Sequence, residues 1–405
     1  MAVAQGLKKQ TIIKEQTALA SLASGSGGQI LRRRTSVFTA ARDTFESDEI
    51  ATHHQSTGVA YGLKSVSGKI DGLLSASTYK WLLEGLLEAD FAAVTPYAAG
   101  IDVTAQAASP QFADASGGFL TAGLKVGHVV RWTGFAGSPG TNNNSKNFLI
   151  TALTATNMTG VFLDGDAVSA DTAGDSVTCT VVGKVAMPPL TGHTNNYYTF
   201  EEWYSDLTRS EVFGDCKIAQ AAIDLPATGN ATVSFDVVGL SRSATASQVL
   251  TTPTAETETG IMTAVNGLLY LNGSALTNVT GCQVAISNSA ANAGAVIGSN
   301  SSPDVSTGRI KVSGSFTALF DSQTIQALFD AETKISLIVV VTVDETDTSD
   351  FVAITLGKIA LTGDAPDDGE KSLMRTYPFT AELNRDGGSG TSADETIIRI
   401  QDSAA

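Results

Sequence analysis

Apolar and polar residues alternate with a period of two over much of the chain, interrupted by one clear helical stripe. In residues 66–74, Val66, Gly68, Ile70, Gly72 and Leu74 share one parity and polar residues fill much of the other, which predicts a strand. The period then changes. Tyr79, Leu82, Leu83, Leu86 and Leu87 recur at helical spacing. Residues 75–90 are therefore expected to form a helix packed on a sheet, with Ser75 or Ser77 as its N-cap. Strand patterns occupy residues 59–63, 127–134, 147–153, 158–163, 176–182, 197–204, 216–225 and 231–240, the last with Val233, Phe235 and Val237 on one side. Further strands are predicted at 334–343, 351–361 and 372–383.

The pattern repeats. Val66-Ser67-Gly68 returns as Val312-Ser313-Gly314, 246 residues later (314 − 68). Held without gaps, this offset sets Ile70 on Phe316, Leu74 on Phe320, Tyr79 on Ile325, Leu82 on Leu328 and Leu83 on Phe329. A strand running into an amphipathic helix thus occurs twice, each time followed by three strand patterns. Residues 101–186 interrupt the first copy. There charges thin out, Gly, Asn, Thr and Ala dominate, and short strands alternate with turns up to Met187-Pro188-Pro189. The expected division is an N-terminal arm over 1–35, a first module from 36–100 plus 187–250, an inserted small β domain at 101–186, a second module at 251–383 and a C-terminal extension at 384–405. The extension reads as a tail or as a last strand for a neighbour. The fold class is mainly β with α: β-sandwich sheets with one packing helix per module.

Composition narrows the function. Hydrophobic residues make up 42% of the 405 and charged residues 16%, enough apolar material for a real core. The formal net charge of −16 leaves little material for a basic face that grips phosphates. Cys179, Cys216 and Cys282 are far apart and lack metal-ligand spacing, and the four histidines form no HExxH pattern, so no metal and no cofactor is expected. The N-terminus lacks a signal-peptide core, and the longest apolar run, near 335–343, is too short to cross a membrane. Synthesis in the cytoplasm is the expectation. A nucleophile elbow, a P-loop and a dinucleotide fingerprint are absent. Glu201 and Glu202 are neighbours on a strand and point to opposite faces, so they cannot flank one bond. No enzyme is expected. The acidic run 344–350 offers oxygen ligands without EF-hand spacing and reads as a solvated hairpin loop. Arg32, Arg33 and Arg34 follow a flexible Gly/Ser stretch and can bridge to an acidic neighbour.

Residues 52–91 (THHQSTGVAYGLKSVSGKIDGLLSASTYKWLLEGLLEADF) resemble the N-terminal half of the tail tube proteins of long-tailed, siphovirus-type bacteriophages. Residues 197–240 resemble that family's later strands, and 308–383 its closing half. The resemblance implies two packed antiparallel sheets with a helix, and a structural virion protein. Its copies form rings whose inner strands make a continuous barrel. Rings stack through loops or N-terminal arms, other tail proteins meet the tube ends, and DNA passes through an acidic lumen without specific binding. Arg32, Arg33 and Arg34 become candidates for contact between rings, and Asp71 and Asp236 candidates for the lumen face. Two modules per chain imply a trimeric ring with pseudo-sixfold symmetry, a hexamer of one composite domain being the alternative. The competing reading is a carbohydrate- or cell-surface-binding adhesin, with Trp132 and several Asn in the inserted domain as its binding material.

Overall fold

A computed structural model describes residues 3–50 and 52–405; the first two residues of the expected arm, and Ala51, lie outside the described residues. The chain is mainly β, with strand over 46% of it and helix over 7%. One long run of strands organises the rest. Strand β2 (Thr35–Glu46) pairs with β3 (Val59–Leu73), and β3 with β7 (Thr232–Gly239). Next to β7 lies β6 (Arg209–Pro226), whose second half also pairs with β8 (Val279–Ser287). The run continues through β9 (Lys311–Leu319) and β12 (Met374–Ala381) to β11 (Phe351–Leu361). All these pairs are antiparallel.

The same pairing recurs along the chain. Phe38 faces Gly68, which faces Val237; 246 residues on, Val284 faces Gly314, which faces Phe379. A Cβ on Gly68 would meet the Phe38 ring at 2.4 Å. One on Gly314 would meet the Gln283 carbonyl oxygen at 2.1 Å and the Phe379 ring at 2.6 Å. Both positions need glycine because a neighbour fills the space where a side chain starts.

Alternation gives the run an apolar face. Ile70, Phe235, Ile223, Val284, Phe316 and Tyr377 lie on it and are buried in one core. Helix α1 (Lys80–Leu87) seals this face with Leu82, Leu83, Leu86 and Leu87. It starts later than expected. Tyr79 holds the N-cap position with no side-chain cap, because the Ser75 hydroxyl is engaged with Thr78 Oγ1 at 2.7 Å and Ser77 turns the chain at a φ of 64°. The helix of the second copy, α2 (Thr324–Asp330), buries only Ile325 and lies shallower on the core.

A second layer completes the sandwich. Strand β1 (Lys9–Glu15) pairs along its whole length with β5 (Tyr198–Tyr204), which pairs with the first half of β6. Residues 9–31, expected as an extended arm, are therefore docked: Ile12 and Ile13 are fully buried and 29–30 fold back onto β1. On the other side, β10 (Ile335–Thr342) pairs with β11. The C-terminal strand β13 (Arg399–Asp402) bridges β11 and β4 (Lys184–Ala186), so the expected extension ends as a strand of its own chain's sheet.

The interruption forms its own seven-stranded sheet, beginning with Tyr97–Gly100, slightly before the expected boundary, and ending with Val177–Val181. Phe112, Phe119, Trp132 and Phe148 build its core. It docks on the second half of the chain, although the sequence inserts it in the first. Val129 and Leu149 share a buried cluster with Ile338, Val340 and Phe351. Gln401 Nε2 donates to the carbonyls of Val129 and Val182, both at 2.8 Å.

Gly314→Ala is expected to cost about 2 kcal/mol, because a backbone carbonyl blocks the new methyl. Gly68→Ala is expected to cost less than half of that, since the half-buried Phe38 ring can swing aside. Urea unfolding of both variants checks the order, and equal losses would show that the two glycines are not held in the same way.

Candidate functional site

The strand run has a second, open face. Cross-strand register puts Lys69 beside Asp236 and Gln220, and Asp71 beside Ser234, Ala222, Ala285 and Ser313. Asp224, Gln283 and Ser315 form the next row. These side chains are small or polar and lie exposed or half-buried opposite the core. Asp71 and Asp236, expected to share a face, therefore do so in this chain. Their surroundings are less acidic than the net charge suggests. Asp71 accepts from Thr35 Oγ1 at 2.8 Å and stands 3.9 Å from Lys69 Nζ, while Lys311 also lies on this face. Such a surface offers phosphates no cationic array.

Among the described residues, the run also has two unpartnered edges. At one end, β2 pairs only with β3, and Thr35, Val37, Thr39 and Ala40 are exposed. At the other, the strand beyond β11 continues as 362–367 along β12 and turns back through Gly369 and Glu370. Asp367, Asp368 and Glu370 are exposed there. Open ladders of this kind are surfaces for pairing with another strand.

Arg32, Arg33 and Arg34 precede β2 directly. Arg32 Nη1 donates to the Thr259 carbonyl at 2.7 Å and Arg33 Nη2 to the Lys9 carbonyl at 2.5 Å, so both hold the chain in place. Arg34 is exposed. Tyr79, whose hydroxyl pKa is pushed up to about 12 by burial, passes over Gly72 and donates to the Arg32 carbonyl at 3.1 Å. The helix start thus fixes the triplet beside the β2 edge.

Other candidate chemistry resolves into structure. Glu201 accepts from the amides of Val249 and Leu250, each at 2.7 Å, while Glu202 pairs with Lys9 Nζ at 2.5 Å on the opposite side. Trp132 is fully buried among Phe112, Phe119 and Phe135, out of reach of a sugar ring. The acidic hairpin 344–350 supplies Asp347 to a cluster with Asp164 and Asp166. The ammonium of Lys146 already sits among these three carboxylates and bonds Asp164 at 3.1 Å. Burial by itself would lower the Lys146 pKa, but hydrogen bonds and charge from Asp166, Asp164 and Asp347 raise it above that of free lysine. This ion cluster ties the inserted sheet to the β10–β11 hairpin. Sequence spacing gave no signal for it, because Lys146 and Asp347 meet only through the tertiary fold.

The architecture is that of a β-sandwich structural protein with a polar open face and two edges available for assembly. The chain matches the phage tail tube protein family over residues 2–381 and belongs to that family. It is a structural protein of the bacteriophage virion, located in the tail, where it assembles with itself and with other tail proteins. No curated protein matches the sequence. No helix among the described residues is long and apolar enough to cross a membrane.

Lys146→Met removes the one cation from the carboxylate cluster. A stability loss of about 2 kcal/mol is expected at neutral pH, smaller than for a fully buried pair because Asp166 and Asp347 are about 60% exposed. Urea unfolding at neutral pH measures the loss; a variant as stable as the parent would show that the cluster does not tie the inserted sheet to the hairpin.

Proposed function

We propose that this chain carries two tail-tube modules, and that three chains close into a ring with pseudo-sixfold symmetry, as in a long-tailed, siphovirus-type phage. The rings stack into the tube through which DNA leaves the capsid. The observation that carries this reading is the recurrence of one pairing pattern, Phe38–Gly68–Val237 and then Val284–Gly314–Phe379, the first two strands at an offset of 246 and the third at 142 (379 − 237). Two such units side by side expose one edge at each end, and only further copies can complete them.

In this reading the open face becomes the lumen wall. Asp71, Asp224 and Asp236, with the serines and alanines beside them, line the passage. Small polar groups with few cations bind phosphate weakly, so DNA slides rather than sticks. The work is mechanical and electrostatic and needs no catalytic group. The inserted sheet, docked on the outer layer through Val129, Leu149, Ile338 and Val340, lies on the outside of the tube.

Electron microscopy of the purified protein should show rings or tubes, and native mass spectrometry a species of three times the chain mass. Six chains in each ring would remove the pseudo-sixfold trimer while keeping the tube. A chain that stays monomeric at high concentration would remove the ring altogether.

A further inference from the structure

The junction inside the chain is a template for the junction between chains. Within one molecule, β6 meets β8 with Gln220–Ser287, Ala222–Ala285 and Leu225–Cys282 as direct partners. Each side of this junction has a counterpart at an open edge. On one side, β2 stands to β3 as β8 stands to β9: Thr35 and Gly281, Phe38 and Val284, and Ala41 and Ser287 all differ by 246.

On the other side, β11 stands to β12 as β6 stands to β7. Ile218 faces Val237 and Leu361 faces Phe379, an offset of 143 on the first strand (361 − 218). Both pairs then slip by one residue at the same place: β6 between Ile218 and Gln220, and the β11 continuation between Leu361 and Ala365. A shared irregularity fixes the equivalence more firmly than the regular parts do. Residues 363–369 are therefore the counterpart of 220–226.

Resting on the ring reading above, we infer that β2 of one copy pairs antiparallel with residues 363–369 of the next, in the register of β6 with β8. Gly363 then faces Ala41 of the neighbouring copy, Ala365 faces Thr39, and Gly369 faces Thr35. The internal junction continues with the Ala227 amide donating to the Thr280 carbonyl at 3.1 Å, and the same step places Glu370 opposite Arg34.

Charge agrees with geometry. The 363–370 edge carries Asp367, Asp368 and Glu370, all exposed, and the β2 edge opens with the exposed Arg34. In this register Glu370 lies opposite Arg34 and Asp368 diagonal to it on the same face. Arg34 thus acts within the ring, where the resemblance made the whole triplet a candidate for contact between rings. Pro366 occupies the position of Ile223. The Asp367 amide bonds inward to Met374, so residue 366 points its nitrogen at the open edge and, being proline, offers no donor. The ladder is one bond short there, which discourages foreign strands and leaves selectivity to the charges.

The test combines a cross-link and a charge swap in the full-length chain. Thr39→Cys with Ala365→Cys places a thiol pair at the counterpart of Ala285 and Ala222, while the native Cys179, Cys216 and Cys282 are all buried. Oxidation should turn rings into covalently closed trimers, and neither single variant should do so. Arg34→Glu should lower the ring fraction roughly tenfold, as for loss of one charge-assisted contact, with the melting transition of the free chain unchanged. Adding Glu370→Arg should restore assembly. Rings that form without cross-linking, or that ignore the Arg34 reversal, would overturn this register and leave the ring standing. Failure of the unmodified chain to form rings would overturn both.

Discussion

Every strand carries a row of amide and carbonyl groups on each side, and each row must meet a partner or water. This structure depends on how one strand meets that demand. β6 is long enough to serve two layers: its first half joins β5 in the outer sheet and its second half joins β8 in the inner run. The contact with β8 makes one sheet out of two. Without it the chain would hold two sandwiches, each with its own open flanks. With it, Ile223 and Val284 pack side by side and a single core extends from Ile70 to Phe379.

Alternation then divides the work between faces. Apolar residues of one parity meet the helix and the outer layer, and those of the other parity stay small or polar. The outer layer is fixed by contacts far apart in sequence. Arg399, fully buried, pairs with Asp394 and donates to the Val126 carbonyl at 2.7 Å. Gln401 clasps two carbonyls of the inserted sheet. The buried guanidinium is tolerated because Asp394 meets its charge and Val126 and Thr355 accept from Nη2, which leaves only Nε without a partner. The inserted sheet is therefore packed against the rest of the molecule and is not a pendant on a linker.

Much of this was legible in the sequence, where local pattern and burial agree. The strand expected at 197–204 is Tyr198–Tyr204, and that at 351–361 is Phe351–Leu361. The helix stripe through Leu82 and Leu86 faces the core as its spacing requires. Among the strands that went unread, β2 and β8 are the two that form matching edges. β2 is exposed at most of its positions, so no apolar parity marks it. β8 does alternate through Cys282, Val284 and Ile286, but a stretch rich in Ser, Ala and Gly surrounds it and masks the alternation. Docking of residues 9–31 rested on Ile12 and Ile13 alone, too short a signal for a period. A strand edge for assembly lacks a hydrophobic signature for the same reason that it stays soluble before it pairs.

That last point gives a reason for the proposed junction between chains to differ in chemistry from the one inside the chain. Inside the chain, Leu225 faces Cys282, and both are buried. This junction forms on folding, at an effective concentration set by the connecting chain, and can be as apolar as a core. Its proposed counterpart would set Asp368 against Ser36 of another molecule, with Arg34 and Glu370 beside them. Before assembly each of these edges faces water, where an apolar ladder would aggregate with any strand it met. Charge and proline keep the edges soluble and selective, at some loss of strength in each contact. In the proposed ring, carrying two modules on one chain would halve the number of junctions that must accept this compromise, so a ring of three long chains would be tighter than a ring of six short ones with the same outline.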